Sequence, residues 1–191
     1  MRKFFLVGLA ITMLPLAYAQ SKRELVHKVL STAKDYQGIA PVLGIIQSMP
    51  QEYAYIPHLD PLGDQGYHIS SSFGERIDPM NGERRYHKGI DLASSYACKV
   101  YASASGKVVF SGVRGGYGKC IIIEHRYGFV TYYAHMTYLY VPSGRSVQAG
   151  DVIGFVGSTG RSTGNHLHYE IRKNGRSLNP IPWIGLSAKE H

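Results

Sequence analysis

The chain has 191 residues, of which 44% are hydrophobic, and its formal net charge is +8. This length suits one domain with a hydrophobic core and a short appendage. No stretch after residue 20 is long and apolar enough to span a bilayer. The positive residues are scattered among Gly and Tyr and form no Lys/Arg block, so we expect no nucleic-acid partner.

The N-terminal segment MRKFFLVGLAITMLPLAYAQ has the three parts of an export signal. Arg2 and Lys3 give a positive start, residues 4–14 are nearly all apolar, and Ala17-Tyr18-Ala19 is a small-x-small cleavage pattern. We therefore predict a cleaved signal peptide over residues 1–19. A membrane anchor is the alternative, although the apolar run is short for one.

Cleavage of this signal would change the charge and the location of the chain. It removes two positive charges and leaves a formal charge of +6. An exported basic protein adheres to anionic polymers, of which a cell wall is one. We expect an exported protein of the periplasm or cell-wall space, with no stable membrane insertion after cleavage.

Residues 20–66 are predicted to form a short N-terminal helix and a proline-rich connector. Ser21 begins a capping box with Glu24, and Gly38 is the predicted stop of the helix. The apolar residues on one helical stripe are Leu25, Val29 and Leu30. Residues 39–66 contain four prolines and several glycines, which is the composition of a connector.

Residues 67–184 change to short β-branched and aromatic runs punctuated by glycine. The segments KVVFSG, KCIIIEH, FVTYYAHM and DVIGFVG are each strand-length with turn residues between them. We predict a mainly β domain, a single antiparallel sheet of barrel-like or sandwich form, with residues 185–191 as a C-terminal tail. Cys98 and Cys120 lie in this domain and form either a disulfide or two free thiols.

Two histidines stand one residue apart in GNHLHYEI. On a strand, alternation places His166, His168 and Glu170 on one face and the intervening apolar residues on the other. Same-face neighbours lie about 6–7 Å apart, so one imidazole can bind a metal while the other stands beside it. The pair alone is weak evidence for a site.

A second cluster lies in YHKGIDLA. His87 and Asp91 share a face on a strand and also on a helix, and Gly89 with Ile90 favours the extended form. Imidazole and carboxylate are both zinc ligands. The glycine between them would leave room for a metal or a substrate. A surface His–Asp ion pair is the alternative.

A further histidine, His135, ends the aromatic segment TYYAHM. A histidine in such a place is either a structural residue or a catalyst, and its own surroundings in the sequence do not decide between the two.

These segments together resemble the lysostaphin-type (LytM-like) zinc metalloendopeptidases. YHKGIDLA, GVRGGYGKCIIIEH, YYAHM and GFVGSTGRSTGNHLHYEI occur in the order expected of that family, and the likeness covers residues 67–184. The resemblance implies that His87, Asp91 and His168 bind Zn2+ and that His135 and His166 are catalytic. All five positions carry the expected residue types.

The resemblance also implies a function. It predicts a zinc metalloendopeptidase that hydrolyses peptide cross-links of peptidoglycan, in wall growth or remodelling in a Gram-negative periplasm. The expected partners are the peptide stems of peptidoglycan and a regulatory protein. Three ligands leave a coordination position for water, as in catalytic sites. His166 is assigned to water activation and His135 to the developing oxyanion, and the two roles are exchangeable.

Three alternatives stay open at the level of sequence. A non-catalytic relative would bind and activate another wall hydrolase, but such relatives typically lack zinc ligands. SVQAGDVIGFVGS is similar to the hairpins of biotinyl and lipoyl domains, but it lacks their lysine. Residues 20–66 act either as a spacer or as a cover for the site. The side chains that would reach the zinc in the second case are Gln47, Gln51, Glu52, His58 and Asp60.

Overall fold

The protein is described by a computed structural model that covers residues 4–78 and 82–184, with side chains from residue 18 onward. The predicted tail at 185–191 lies outside the described residues. No helix within the described ranges is long and apolar enough to cross a membrane. The chain divides into two compact units, Met1–Ser48 and Met49–His191.

The first unit is helical. It contains α1 (Phe4–Thr32), α2 (Tyr36–Ile39) and α3 (Leu43–Gln47), with a 3₁₀ turn between the last two. Ser21 lies inside α1 and is not a helix start, so the predicted capping box is wrong. The expected cleavage after Ala19 also falls within α1.

Two further details of the predicted helix are wrong. It ends at Thr32 and not at Gly38, since Asp35 begins the next helix by accepting a hydrogen bond from the Gly38 amide at 3.0 Å. The buried stripe contains Val26 and Leu30, whereas Leu25 is exposed.

The second unit begins with a strap, residues 49–66, that runs along one edge of the β domain. It contains α4 (Pro50–Tyr53). The Ser103 carbonyl accepts from the amides of His58 and Leu59, each at 3.1 Å, and the side chain of Gln65 bonds both backbone groups of Lys99. The division at residue 66 stays a prediction, but the strap belongs to the compact β unit.

Thirteen strands follow the strap in the described part of this unit. They are β1 (His68–Ser71), β2 (Gly74–Ile77), β3 (Arg84–His87), β4 (Ile90–Ala93), β5 (Lys99–Tyr101), β6 (Gly106–Val113), β7 (Lys119–Glu124), β8 (Phe129–Met136), β9 (Tyr138–Leu139), β10 (Ser146–Val147), β11 (Val152–Phe155), β12 (His166–Lys173) and β13 (Arg176–Leu178). All of their pairings are antiparallel.

The strands form three sheets. The largest has the order β1-β4-β12-β8-β7-β6-β10, with β13 beside β12; the others are β5-β11-β9 and the hairpin β2-β3. The predicted mainly β, antiparallel fold is confirmed. The large sheet is open, with β1 and β10 at its edges, so no closed barrel forms in the described part of the chain. The prediction of a single sheet is also too simple.

The two central strands, β8 and β12, separate the core from the site. Tyr133 and Tyr169 are paired across these strands on the core face, fully buried, with ring centroids 5.4 Å apart. Their hydroxyls are bonded to Ser103 at 2.9 and 2.7 Å, so neither buried oxygen lacks a partner. His168 and Ala134 are paired on the opposite face, as alternation requires.

Both cysteines are free thiols in the structure. Cys120 is fully buried and packs with Ile122, Tyr132 and Ala134. Burial raises the pKa of the Cys120 thiol to about 12, which keeps it protonated and unreactive.

Candidate metal centre

Three side chains from three strands meet on the outer face of the large sheet. His87 ends β3, Asp91 lies in β4, and His168 lies opposite Asp91 in β12. Their ligand atoms form a triangle. His87 Nε2 lies 3.1 Å from Asp91 Oδ1 and 3.0 Å from His168 Nδ1, and His168 Nδ1 lies 2.8 Å from Asp91 Oδ1. All three residues are buried.

In His87 and His168, the ring nitrogen that points away from the triangle is held by a hydrogen bond. His87 Nδ1 donates to the Ser72 carbonyl at 2.8 Å, and His168 Nε2 donates to Glu170 Oε1 at 3.0 Å. Each ring therefore presents a lone pair to the triangle in its neutral form. Two lone pairs and a carboxylate oxygen at these distances repel one another unless a cation or a proton lies between them.

This donor set fits zinc. Zinc binds imidazole nitrogen and carboxylate oxygen at about 2.0–2.2 Å, and a tetrahedron of that size has edges of about 3.3 Å. The triangle edges of 2.8–3.1 Å are close to that value. Three protein donors in place of four are typical of a catalytic site.

The electrostatics of the ligands also favour a positive charge between them. Burial alone would raise the pKa of Asp91, but the rings of His168 and His87 donate hydrogen bonds to Oδ1 when they are protonated, and this holds the pKa of Asp91 well below its ordinary value. Burial alone would lower the pKa of His168, but the carboxylates of Asp91 and Glu170 raise it.

The second oxygen of Asp91 is bound by Arg76. Arg76 Nη1 lies 2.9 Å from Asp91 Oδ2 and also bonds Ser71 Oγ. This contact leaves Oδ1 as the oxygen that faces the histidines. Arg76 is not recognisable from the sequence, because FGERIDP contains no metal-spaced pair that would single it out.

Glu170 orients His168 from behind. It is fully buried, and besides His168 it accepts from the Tyr117 hydroxyl at 2.7 Å and from Arg172 Nε at 2.8 Å. Burial would raise the pKa of Glu170, but these partners, His168 foremost, lower it to about 2, so it is a carboxylate at neutral pH. A carboxylate behind a ligating imidazole is a common outer-shell arrangement in metal sites.

His135 reaches the same face through a break in strand alternation. It follows Ala134, so strict alternation would point it into the core. Its φ is +61°, and the register of β8 against β7 shifts between Lys119 and Ile121, which marks a bulge. The ring thereby lies beside His166 and His168, with centroids 4.7 and 5.8 Å away.

The two predicted catalytic histidines each have one nitrogen held by a carbonyl. His135 Nδ1 donates to the Thr159 carbonyl at 2.8 Å, and His166 Nδ1 donates to the Gly164 carbonyl at 2.9 Å. His166 Nε2 lies 3.8 Å from Asp91 Oδ1, just beyond the triangle. Burial lowers the pKa of His135 to about 4, so this ring is neutral at pH 7.

Gly89 was expected to leave room for a metal or a substrate, and this explanation is wrong. His87 and Asp91 belong neither to one strand nor to one helix, because residues 88–89 form a bend between β3 and β4. A Cβ at Gly89 would lie 2.2 Å from the Tyr169 carbonyl oxygen. The missing side chain therefore lets this bend pack on β12 and does not leave space for a metal or a substrate.

Two glycine-rich loops frame the site. A Cβ at Gly118, where φ is +62°, would lie 2.4 Å from the Thr159 carbonyl, and one at Gly160 would lie 2.3 Å from the Gly118 amide nitrogen. The absence of a side chain at these two glycines lets the backbones of the two loops pack directly against each other. Other residues of the same loops, Gly116, Ser162 and Thr163, line the cleft over the triangle.

The triangle lies in an open cleft of about 640 Å³. All five predicted site residues line it, as does Glu170. None of the strap residues Gln51, Glu52, His58 and Asp60 is among the described residues of its lining. Glu52 instead binds the Tyr127 hydroxyl, His58 the Ile56 carbonyl, and Asp60 the Leu62 amide.

A model of peptidase family M23 matches residues 85–180, just over half of the chain. The chain belongs to peptidase family M23. The resemblance drawn from the sequence motifs is thereby confirmed.

Among M23 relatives, a DD-carboxypeptidase/endopeptidase, Mpg, of Neisseria meningitidis is 50% identical over 113 residues, which are 59% of this chain and 26% of that protein. The murein hydrolase activator NlpD of Escherichia coli is 38% identical over 58% of this chain and 29% of its own length. The chain therefore spans about a quarter of the length of the curated relatives that it matches.

Two solved structures share the fold. A zinc-containing peptidase from Vibrio cholerae has a TM-score of 0.60 and 32% identity, over 67% of this chain and 39% of that one. The catalytic domain of lysostaphin from Staphylococcus simulans has a TM-score of 0.56 and 31% identity, over 63% of this chain and 92% of that one. The M23 fold is therefore common to this chain and to both peptidases.

Proposed function

We propose that this chain is an exported zinc endopeptidase that hydrolyses peptide cross-links of peptidoglycan. The observation that carries the proposal is the triangle of His87, Asp91 and His168 at the base of an open cleft, with the rings of His135 and His166 beside it. The similarity to an endopeptidase and to a zinc-containing peptidase supports the same activity.

The chemistry follows from the positions of these side chains. His87, Asp91 and His168 would hold the zinc, which lowers the pKa of a water and polarises a carbonyl when it is bound. His135 and His166 each present an Nε2 lone pair toward the cleft, because their Nδ1–H groups donate to carbonyls. One ring takes the proton of the attacking water, and a ring that carries a proton can donate to the developing oxyanion or to the leaving amine.

Zinc content and hydrolysis together test the proposal. Purified protein should contain about one zinc per chain and release soluble cross-link products from isolated peptidoglycan, and Asp91→Ala should lose most of both. Asp151→Ala, a surface carboxylate away from the cleft, is the matched control and should keep both. A protein that holds zinc fully after Asp91→Ala would contradict the ligand assignment.

The second candidate is an activator of another wall hydrolase, which the similarity to NlpD supports. The complete donor triangle favours the enzyme instead, since an activator has no need of three zinc ligands. Under the activator hypothesis the purified chain releases no product alone, and it raises release by a partner hydrolase equally with and without Asp91. The enzyme hypothesis expects release by the chain alone.

Export is a further part of the proposal, supported by the apolar N-terminal segment with its Ala17-Tyr18-Ala19 pattern. The polymer that the proposed enzyme cuts lies outside the cytoplasm, so the activity requires export. Mass spectrometry of the protein purified from the periplasm should find a chain that begins near Gln20. A chain that retains Met1 in the membrane fraction would instead indicate an anchor.

A further inference from the structure

A buried carboxylate on the wall of the cleft holds two arginines. Asp78 follows β2 and is 6% exposed. Its Oδ2 accepts from Arg85 Nη1 at 2.9 Å and from Arg161 Nη2 at 2.8 Å. Two guanidinium groups on one carboxylate leave a net charge of about +1 at this point of the wall.

Both arginines also face the cleft. Their side chains are 53% and 39% exposed, and both line the cavity that contains the metal triangle. A guanidinium has five N–H donors in a planar fork. Each of these two makes one side-chain hydrogen bond, to Asp78, within the described part of the chain. The remaining donors are therefore available to a bound molecule.

The arginine pair is fixed relative to the triangle by the backbone. Arg85 and His87 are same-face neighbours in β3, so their Cα atoms lie about 6–7 Å apart. The Arg161 amide donates to the Gly116 carbonyl at 2.8 Å. Arg161 also lies two residues after Thr159, whose carbonyl holds His135. An anion on this pair would therefore lie in the same cleft as the triangle, beside the reacting bond.

Two other arginines near the triangle are already paired with its carboxylates. Arg76 binds Asp91, and Arg172 binds Glu170. Lys88, which follows His87, also lines the cleft and adds to its positive potential. A surplus of positive charge thus remains on the wall that carries Arg85 and Arg161, and such a surface attracts and orients an anion.

We propose that Arg85 and Arg161 form a carboxylate-binding subsite, and that Asp78 positions them. The ligand is an acidic peptide with a free carboxylate close to the bond that is cut. The inference rests on the proposed function, because it names the substrate class of the same site. Planar forked donors match a carboxylate in a way that a lysine does not.

A peptide stem offers this carboxylate from a side chain or from its C-terminus. Binding is therefore measured by calorimetry on zinc-loaded protein with three cross-linked peptides whose scissile amide is N-methylated to prevent hydrolysis. One has all its carboxylates free, one is amidated on the side chain, and one is amidated at the C-terminus. The carboxylate that the subsite binds is the one whose amidation weakens binding of the peptide.

We expect that amidation to weaken binding by the parent protein about tenfold, and by R161Q and R85Q less than twofold. R161K should recover only part of the carboxylate selectivity that R161Q loses, since a lysine restores the positive charge but not the planar, forked set of N–H donors. R145Q removes an exposed arginine outside the cleft and should behave as the parent. Zinc content and thermal unfolding are measured for each variant, so that a misfolded protein is recognised.

Two results would overturn the subsite: no amidation weakens binding by the parent protein, or amidation weakens binding by R161Q as much as by the parent. The unmethylated peptides separate this outcome from failure of the proposed function. Selective binding without any hydrolysis would keep the subsite and refute the endopeptidase. Hydrolysis without carboxylate selectivity would support the endopeptidase and refute the subsite.

Discussion

The histidines of the centre are useful because each is held by its outer nitrogen. His87, His135 and His166 donate to backbone carbonyls, and His168 donates to a carboxylate. This fixes the tautomer of each neutral ring and directs its other nitrogen inward. The same device therefore serves both the predicted ligands and the predicted catalytic residues.

The catalytic pair is tested by separating activity from zinc content. His135→Ala and His166→Ala should each lower hydrolysis by about 10²–10⁴-fold, because each removes a group placed for proton transfer. Both should keep near-normal zinc by metal analysis, because neither ring is part of the triangle. His168→Ala should lose the zinc.

The same variants show whether the two histidines of the HLH segment have been assigned in the right order. If His166→Ala released the zinc and His168→Ala kept it, the ligand and the catalytic residue would be reversed. His68→Ala removes an exposed histidine from β1 and is the control that should leave both measurements unchanged.

Arg76 is predicted to position Asp91 for the metal. Arg76→Gln should weaken zinc affinity about 10-fold or more, as losses of such outer-shell partners do, because the carboxylate is no longer held by its second oxygen. Competition with a chelator of known affinity measures the change. Arg84→Gln, in the neighbouring strand β3, is the matched control. Equal zinc affinity in the two variants would mean that Arg76 has no positioning role.

The elements around the site act as a unit, and the bulge in β8 depends on the loops that cover it. The Thr159 hydroxyl donates to the Met136 carbonyl at 2.8 Å and accepts from the Lys119 amide at 2.9 Å, while its carbonyl holds His135. Gly118 and Gly160 let the two loops approach closely enough for these bonds. The geometry of His135 is therefore a property of the paired loops and not of β8 alone.

Gly118→Ala should disturb this arrangement. A Cβ there meets the Thr159 carbonyl at 2.4 Å, and the alanine must adopt φ +62° with ψ −141°, a conformation that costs an L-residue about 1–3 kcal/mol before the clash is counted. We expect a loss of at least about 2 kcal/mol in the free energy of unfolding, measured by urea denaturation, together with reduced hydrolysis.

Gly116→Ala provides the control for this prediction. It lies in the same loop, but its φ is not positive and the nearest atom to an added Cβ is 3.8 Å away. Its free energy of unfolding should change by less than about 0.5 kcal/mol. Similar stability losses in the two variants would show that loop packing is not the reason for glycine at position 118.

At the scale of the whole molecule, the strap makes residues 49–66 part of the folded β unit. Ile56 and Leu62 are fully buried, and the strap bonds the backbone of residues 99–105 at several points. From its sequence this segment was expected either to pack on the β domain or to stay mobile, because proline-rich composition indicates a lack of regular structure but not a lack of contacts.

Shortening the chain tests the role of the strap. A protein that begins at Met49 should retain the stability of the β unit, whereas one that begins at Tyr67 should lose at least about 3 kcal/mol, because burial of Ile56 and Leu62 and several hydrogen bonds are removed. Urea denaturation of the two shortened chains measures the difference.

The autoinhibition hypothesis predicts the opposite pattern for hydrolysis. A chain that begins near Gly66 would then cut peptidoglycan faster than one that begins near Gln20, at equal zinc occupancy. We expect it to be slower, since the strap supports the unit that carries the cleft. A faster and equally stable shortened chain would contradict the structural role and favour a cover.

The sequence by itself determined the class of the fold and the candidate residues. Short alternating runs predict antiparallel strands, because strand periodicity is local, and the alternation of HLHYEI correctly placed His166, His168 and Glu170 on one face. The motifs also indicated the family, since their order along the chain is a property of the sequence alone.

The tertiary structure decided what no local pattern contains. Alternation would point His135 into the core, and only the bulge, held by a loop distant in sequence, turns it to the cleft. Ion pairs likewise hold three arginines in position: Asp91 binds Arg76, and Asp78 binds Arg85 and Arg161. These partners lie up to 83 residues apart in the chain. Such contacts depend on how strands and loops pack, and packing joins residues whose spacing in the chain has no period.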